Sequence, residues 1–275
     1  ALEALTTSVG FIGMTTWIRG FVFSWMLDPL ADFLVALPWW YLISLLSIGV
    51  WIFCNRSTAI VCMIGLLFIG ATGLWTIGMF SMAQILVSLV LCFLIGVPLG
   101  VLAAVSDTCE AIIRPILDAM QTLPAFVYLI PVLMFFGGNV VSAVIAIMIY
   151  ALPPIIRLTN LGIREVPAEA VEAATSFGST FSQNLFKVKI PLALPSIMMG
   201  VNQAVILGLA MLIVTPLIGG GGLGREVFVG LSQSDTGMSM QGGLSIVFLA
   251  VVLDRLTQAL SARQQEALGL NVGAK

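Results

Sequence analysis

The sequence predicts an all-α polytopic membrane protein, with about seven transmembrane helices preceded by an amphipathic N-terminal helix. Composition is the first ground: of 275 residues, 60% are hydrophobic and 9% charged, and the mean hydropathy is +1.12. A soluble domain carries about 25% charged residues. The second ground is the recurrence of apolar runs bounded by charge, Pro or Gly. They fall near residues 37–54, 58–78, 82–105, 120–137, 139–157, 192–217 and 241–260. Each crossing of a ~30 Å hydrocarbon core needs roughly 20 apolar residues, so the chain has room for six or seven spans and modest loops. The third is the placement of Lys and Arg between those runs.

Taken in order, residues 1–36 form an N-terminal segment in which Phe11, Met14, Ile18, Phe21, Trp25 and Leu30 recur at helical spacing among polar residues. This pattern suits a helix lying on the outer membrane face. An eighth span is the rival reading, and Arg19 near its centre opposes it at roughly 2.5 to 3.5 kcal/mol. The sequence begins at Ala1 with no initiator Met, and no basic stretch of the kind a signal peptide carries precedes its first apolar residues. Residues 37–80 hold two accessory spans. Residues 81–260 form the core, with a polar loop at 158–191, and residues 261–275 are a tail. The fourth span is interrupted by Pro124 and Pro131, and Gly137, Gly138 and Asn139 leave only a tight turn after it. Proline at membrane depth needs neighbours that satisfy the freed carbonyls, so this span is expected to pack inside the protein.

Alternation of the spans from a cytoplasmic 158–191 loop puts Arg56, Arg114, Arg157, Arg164, Lys187, Lys189, Arg255, Arg263 and Lys275 inside. Only Arg19 and Arg225 are left outside. This obeys the positive-inside rule and sets the N-terminus outside and the C-terminus in the cytoplasm. An even number of spans loses the agreement.

The polar loop reads as a helix with defined ends. Pro167 suits a first turn, where its missing N–H costs nothing, and Gly178 suits the left-handed position just past the end. Residues 168–177 between them are mostly helix formers, with Val171, Ala174 and Phe177 along one side. So short a helix needs packing against something else. Ala173 and Ala174 permit close approach by a partner, and Glu172 offers a charged contact.

The loop's spacing, Glu172-Ala173-Ala174, three residues, Gly178, nine residues, Val188-Lys189-Ile190-Pro191, resembles the cytoplasmic EAA loop of ABC importer permeases. Val188 and Ile190 stand where that pattern has Ile and Leu. Further runs look like the permease subunit of glycine betaine/proline betaine importers, of the binding-protein-dependent type I permease family. They are the stretch from Arg114 through Pro115, Pro124 and Tyr128 to Pro131, then Ala151-Leu152-Pro153-Pro154-Ile155-Ile156-Arg157, and Asp254-Arg255-Leu256-Thr257-Gln258. The likeness covers roughly residues 80–260. It implies a multi-pass permease of the bacterial inner membrane, acting as a homodimer. Its partners would be a cytoplasmic ATPase subunit, which binds ATP and Mg, and an extracytoplasmic substrate-binding protein. No cofactor is implied in this chain. Pro167, Val171, Glu172, Ala173, Ala174, Phe177 and Gly178 would then form the element that receives force from the ATPase. The cargo would be a quaternary-ammonium or related compatible solute such as glycine betaine, proline betaine, choline or trimethylamine N-oxide.

Such a solute favours aromatic faces by about 0.5 to 2 kcal/mol per contact. Phe126 and Tyr128, with Gln121 a turn earlier, are candidate pathway lining, and ordinary bundle packing is the competing account of each. Asn202 and Gln203, polar within the sixth span, either hydrogen-bond across helices or face the cavity. The glycine run 219–222 lacks the Gly-Lys-Ser/Thr of a phosphate loop and is expected to be a flexible external turn, with Arg225, Glu226 and Asp235 near a binding-protein contact. Cys54, Cys62, Cys92 and Cys109 have no paired spacing and read as packing residues, and the sequence has no His. No basic cluster points to nucleic acid. An ion-gradient-driven secondary transporter is the alternative function, and the cytoplasmic-end placement of Asp107, Glu110, Asp118 and Asp254 disfavours it.

Overall fold

A computed structural model of the chain describes residues 9–53 and 56–267, with side chains from residue 12 to 52 and 56 to 259. Expectations placed on residues 1–8, Cys54, Lys275 and the end of the tail lie outside the described residues, as do those on the side chains of Phe11 and Arg263. The described residues are nearly all helical. The elements are α1 (Val9–Phe21), a π turn (Val22–Leu27), α2 (Asp28–Ala36), α3 (Trp39–Phe53), α4 (Arg56–Ala71), α5 (Trp75–Val105), α6 (Asp107–Thr122), α7 (Ala125–Phe136) and α8 (Val140–Arg164). Beyond the polar loop's α9 (Ala168–Ser176) come α10 (Phe181–Asn184), a second π turn (Leu185–Lys189), α11 (Ile190–Leu212), α12 (Leu223–Ser232) and α13 (Thr236–Ala267).

A helix stands at each of the seven expected apolar segments. Among the described residues four helices are long and apolar enough to cross a membrane by themselves: α5, α8, the run Phe181–Leu212 that includes α11, and α13. The stretch Ile12–Ala36 meets Trp39–Ile52 at 100°, and α6 meets α7 at 107°. The fourth span therefore begins at Ala125 rather than near residue 120. At 12 residues α7 is about 18 Å long, and the break falls at Leu123 and Pro124, with Pro131 absorbed inside the helix. Nor is α7 packed inside this chain: only Tyr128, Leu129 and Val132 are buried, while Phe126, Ile130, Leu133 and Met134 are exposed.

The core is α8 held between α5 and α11. Along α5, small residues recur every four positions and meet α8 in register. Ser88 Oγ donates to the Val144 carbonyl at 3.0 Å and Cys92 Sγ to the Met148 carbonyl at 3.0 Å. A Cβ on Gly96 would lie 2.8 Å from Ile155 Cγ2, and one on Gly100 2.5 Å from Thr159 Cβ. Residue numbers rise together along this seam, so α5 and α8 run parallel. Within lipid no hydrophobic force drives helices together, and small residues that let backbones approach supply the packing instead. Two parallel crossing helices require the chain between them to return, and α6 with α7 is that return. On its other side α8 meets α11 antiparallel, through Gly162 against Ser196, Gly200 against Ile155 and Gly208 against Ile147.

Both π turns end two residues before a proline, Pro29 and Pro191. Proline cannot donate to the carbonyl four residues back, and the widened turn absorbs the mismatch: Asp28 N–H reaches Phe23 O and Ile190 N–H reaches Leu185 O.

The glycine run 219–222 is packed rather than flexible. Its close neighbours are the Asn139 backbone for Gly219, Thr215 for Gly220, Phe80 for Gly221 and Ser81 for Gly222, and Ser81 Oγ accepts from Leu223 N–H at 2.7 Å. The run bolts α12 to the start of α5 and to the α7–α8 turn. Cys62 and Cys92 are buried among apolar neighbours, and Cys62, Cys92 and Cys109 form no disulfide.

Candidate functional site

The polar loop emerges from the end of α8 remote from Asn139. Pro167 is the N-cap of α9 rather than a residue of its first turn, with φ −53° and ψ 130°. At the other end Gly178 takes φ +81°, its N–H bonds the Thr175 carbonyl at 2.9 Å, and Ser179 N–H bonds the Ala174 carbonyl at 3.1 Å. These two bonds are the Schellman arrangement that closes a helix. Thr180 then caps α10 with a reciprocal pair, its Oγ1 accepting from Gln183 N–H at 3.4 Å while Gln183 Oε1 accepts from Thr180 N–H at 2.9 Å.

The expected side of α9 is divided. Val171 and Ala174 are half-buried toward α10, where Asn184 Nδ2 donates to Thr175 Oγ1 at 3.3 Å. Phe177, by contrast, is 93% exposed, and Glu172 and Ala173 are exposed with it. Phe181 and Phe186 stand out nearby at 70% and 65%. Among the described residues these three outward phenylalanines on a polar loop meet no socket, and Phe181 and Phe186 add to the candidates legible in the sequence. An outward Phe on a charged segment was their available signal.

The candidate pathway residues are not gathered into one place. Tyr128 is buried, its hydroxyl donating to the Met120 carbonyl and its ring edge-on to Tyr150 at 5.5 Å. Phe126 is 56% exposed, and Gln121 is exposed as well. Asn202 Oδ1 accepts from Thr257 Oγ1 at 3.0 Å, tying α11 to α13, whereas Gln203 is exposed. Gln203 belongs to an uncovered stripe on α11 with Met199, Ile206 and Ala210, continued by Ile213 just past its end, a helical repeat visible in the spacing.

At the loop end of the bundle α8 presents Arg157, Asn160 and Arg164 to α6. Arg157 pairs with Asp118, and Arg164 pairs with Asp107 at 2.8 Å and Glu110 at 3.0 Å. Between the two helices lies a cavity of about 310 Å³ lined by Glu110, Arg114, Asp118, Arg157, Asn160 and Arg164. The opposite end carries α1: Thr16, Arg19, Gly20 and Phe23 share a crevice with Asn139, Val140 and Val141.

Long apolar helices joined by a polar loop that carries a short, exposed helix are the architecture of a multi-pass membrane protein. Comparison with known proteins gives the family. Residues 96–266 match the family described as binding-protein-dependent transport system inner membrane component. The glycine betaine/proline betaine transport system permease protein ProW of Escherichia coli (strain K12) is 45% identical over 236 residues, covering 86% of this chain and 67% of that protein. The glycine betaine transport system permease protein OpuAB of Bacillus subtilis (strain 168) is 40% identical over 256 residues, covering 92% of this chain and 86% of its own length. Among solved structures, an inward-facing form of the MetNI methionine ABC transporter superposes with a TM-score of 0.57 at 23% identity. It covers 68% of this chain and 92% of the matched one, and it shares the fold. The chain belongs to the binding-protein-dependent transport system inner membrane component family. It is a multi-pass protein of the inner membrane, and it spans about two thirds of the length of ProW.

Proposed function

We propose that the chain is the permease subunit of an ATP-driven importer of a quaternary-ammonium or related compatible solute. Two copies form the pathway, a cytoplasmic ATPase subunit binds ATP and Mg, and an extracytoplasmic binding protein delivers the cargo. The observation that carries the reading is α9, a helix fixed at both ends that offers Glu172, Ala173 and a 93% exposed Phe177 to something outside the chain. An apolar ring on a water-facing helix is stabilised by a partner groove, with the small Ala173 allowing close approach.

A second copy is supported by the uncovered stripe on α11. A polar Gln203 at membrane depth belongs against protein or a water-filled cavity rather than lipid, and a second permease around the stripe provides both. The names of ProW and OpuAB support the solute class, and the exposed face of Phe126 is chemically suited to a quaternary ammonium. Positions of Lys and Arg support a cytoplasmic α9 and C-terminus and an external N-terminus. So does the seat of α1 at the end of α8 opposite the loop.

The test is reconstitution. Tagged permease is expected to retain an ATPase subunit through purification, and vesicles containing both are expected to take up solute only with ATP and loaded binding protein. Uptake driven by an ion gradient without ATP overturns the reading.

A further inference from the structure

Arg164 is the last residue of α8, and α9 begins four residues later. Its guanidinium holds the ends of three helices together. Nη2 donates to the Ala103 carbonyl at 2.9 Å, in the last turn of α5, and to Asp107 at 2.8 Å, in the first turn of α6, and it forms an ion pair with Glu110 of the same turn at 3.0 Å. Nε donates to Asn160 Oδ1 at 3.0 Å, and Asn160 Nδ2 reaches Glu110 Oε1 at 3.3 Å. Each contact has a local reason. The carbonyls in the last turn of α5 lack helical donors and form the negative end of its dipole, which favours a cation, while the first turn of α6 favours the carboxylates.

Little else holds α6. Leu117 is its one buried residue, and Arg157, seven positions before Arg164 and on the same side of α8, grips Asp118 farther along. Ile112 and Ile116 on the other side are exposed. α6 is therefore an arm fastened to α8 by two arginines, and its far end turns through 107° into α7, the short return crossing.

We propose that Arg164 is the positioning residue through which displacement of α9 is passed to α6 and, across the bend at Leu123 and Pro124, to α7. The inference rests on α9 being the element moved by the ATPase. A guanidinium suits this joint because its donors diverge in a plane and engage several acceptors at once, which an ammonium cannot do with the same geometry. Glu110, which lines the cavity, is paired with Arg164 in this arrangement, and the cavity lies at the joint between α6 and α8.

The experiment uses the reconstituted complex of permease, ATPase and binding protein. Two readouts are taken: solute imported per ATP hydrolysed, and the distance between spin labels at Ile116 on α6 and Ile60 on α4, in a background lacking the native cysteines. Both labelled positions are exposed. Wild type is expected to show a change of label distance on ATP binding. Arg164→Gln is expected to lower solute per ATP about tenfold, abolish that change, and leave binding-protein-stimulated hydrolysis within about twofold. Asp107→Asn combined with Glu110→Gln is expected to reproduce the phenotype, and Arg164→Lys to recover part of it. If Arg164→Gln does not fold, the carboxylate pair and Arg164→Lys carry the test. An unchanged solute-to-ATP ratio overturns the proposal. Uptake and hydrolysis falling in proportion with the label change intact also overturns it. Failure of the wild-type chain to bind any ATPase sinks instead the reading on which it rests.

Discussion

The hydroxyl of Tyr128 donates to the main-chain carbonyl of Met120, across the bend that separates α6 from α7. In a continuing helix that carbonyl would accept from residue 124, but residue 124 is proline and has no N–H. The side chain replaces the missing main-chain donor, so Tyr128 is committed to holding the break. Replacing it with Phe leaves a polar acceptor unsatisfied, at a cost of about 1 to 3 kcal/mol. Tyr128→Phe is expected to lower the thermal midpoint of the detergent-purified permease. Equal midpoints for wild type and Tyr128→Phe would show that the hydroxyl does not hold the bend.

The α5–α8 seam makes a sharper demand. A methyl on Gly100 meets Thr159 Cβ at 2.5 Å and the Ile156 carbonyl at 2.8 Å, and a main-chain oxygen cannot step aside. Gly100→Ala is expected to destabilise by about 1 to 3 kcal/mol, read as monodisperse protein surviving a heat step. Gly70→Ala, where nothing lies within 4 Å of the new Cβ, is the matched control and is expected to behave as wild type.

At Gly178 the surroundings are open and the backbone alone sets the cost. Its φ of +81° has no neighbour within 4 Å of an added Cβ. A left-handed L residue costs roughly 1 to 2 kcal/mol, Asn less and a β-branched residue more. The amount of ATPase retained by tagged permease is therefore expected to fall in the order Gly, Asn, Ala, Val at position 178. A flat series would mean that the cap does not hold α9 in its docking shape.

Ser81 gives a test on the opposite side of the bundle. Its Oγ is the acceptor for the Leu223 amide, and both residues are fully buried. Ser81→Ala orphans that amide, again at about 1 to 3 kcal/mol. Amide hydrogen exchange at Leu223 is expected to quicken at least tenfold while exchange within α9 stays unchanged.

The sequence was legible where one residue carries a unique backbone property. Pro167 and Gly178 bounded α9 to within a residue, and Gly137 with Asn139 located the turn before α8, where Asn139 Oδ1 caps Ser142 N–H at 3.1 Å. It was misleading where a property has two structural uses. The glycines at 219–222 read as freedom and serve as close approach. α6 does carry a helical signal, the Ser106 N-cap followed by Ile112, Ile113, Ile116, Leu117 and Met120 at helical spacing, but its charged residues keep it from standing out as an apolar run. The division of α9's side chains between α10 and solvent depends on where Asn184 lands, which the chain settles only in three dimensions. Tyr128 read as an aromatic with an open role because its partner is a main-chain carbonyl, which has no letter in the sequence.

Because α5 and α8 run parallel, their contact constrains the order of events during synthesis. Gly100 cannot meet Thr159 until the ribosome has made the residues between them and the intervening stretch has doubled back through the bilayer. For that interval Ser88, Cys92, Gly96 and Gly100 lack the α8 partners they meet in the finished fold. The groove closes only after α6 and α7 have carried the chain back to start α8.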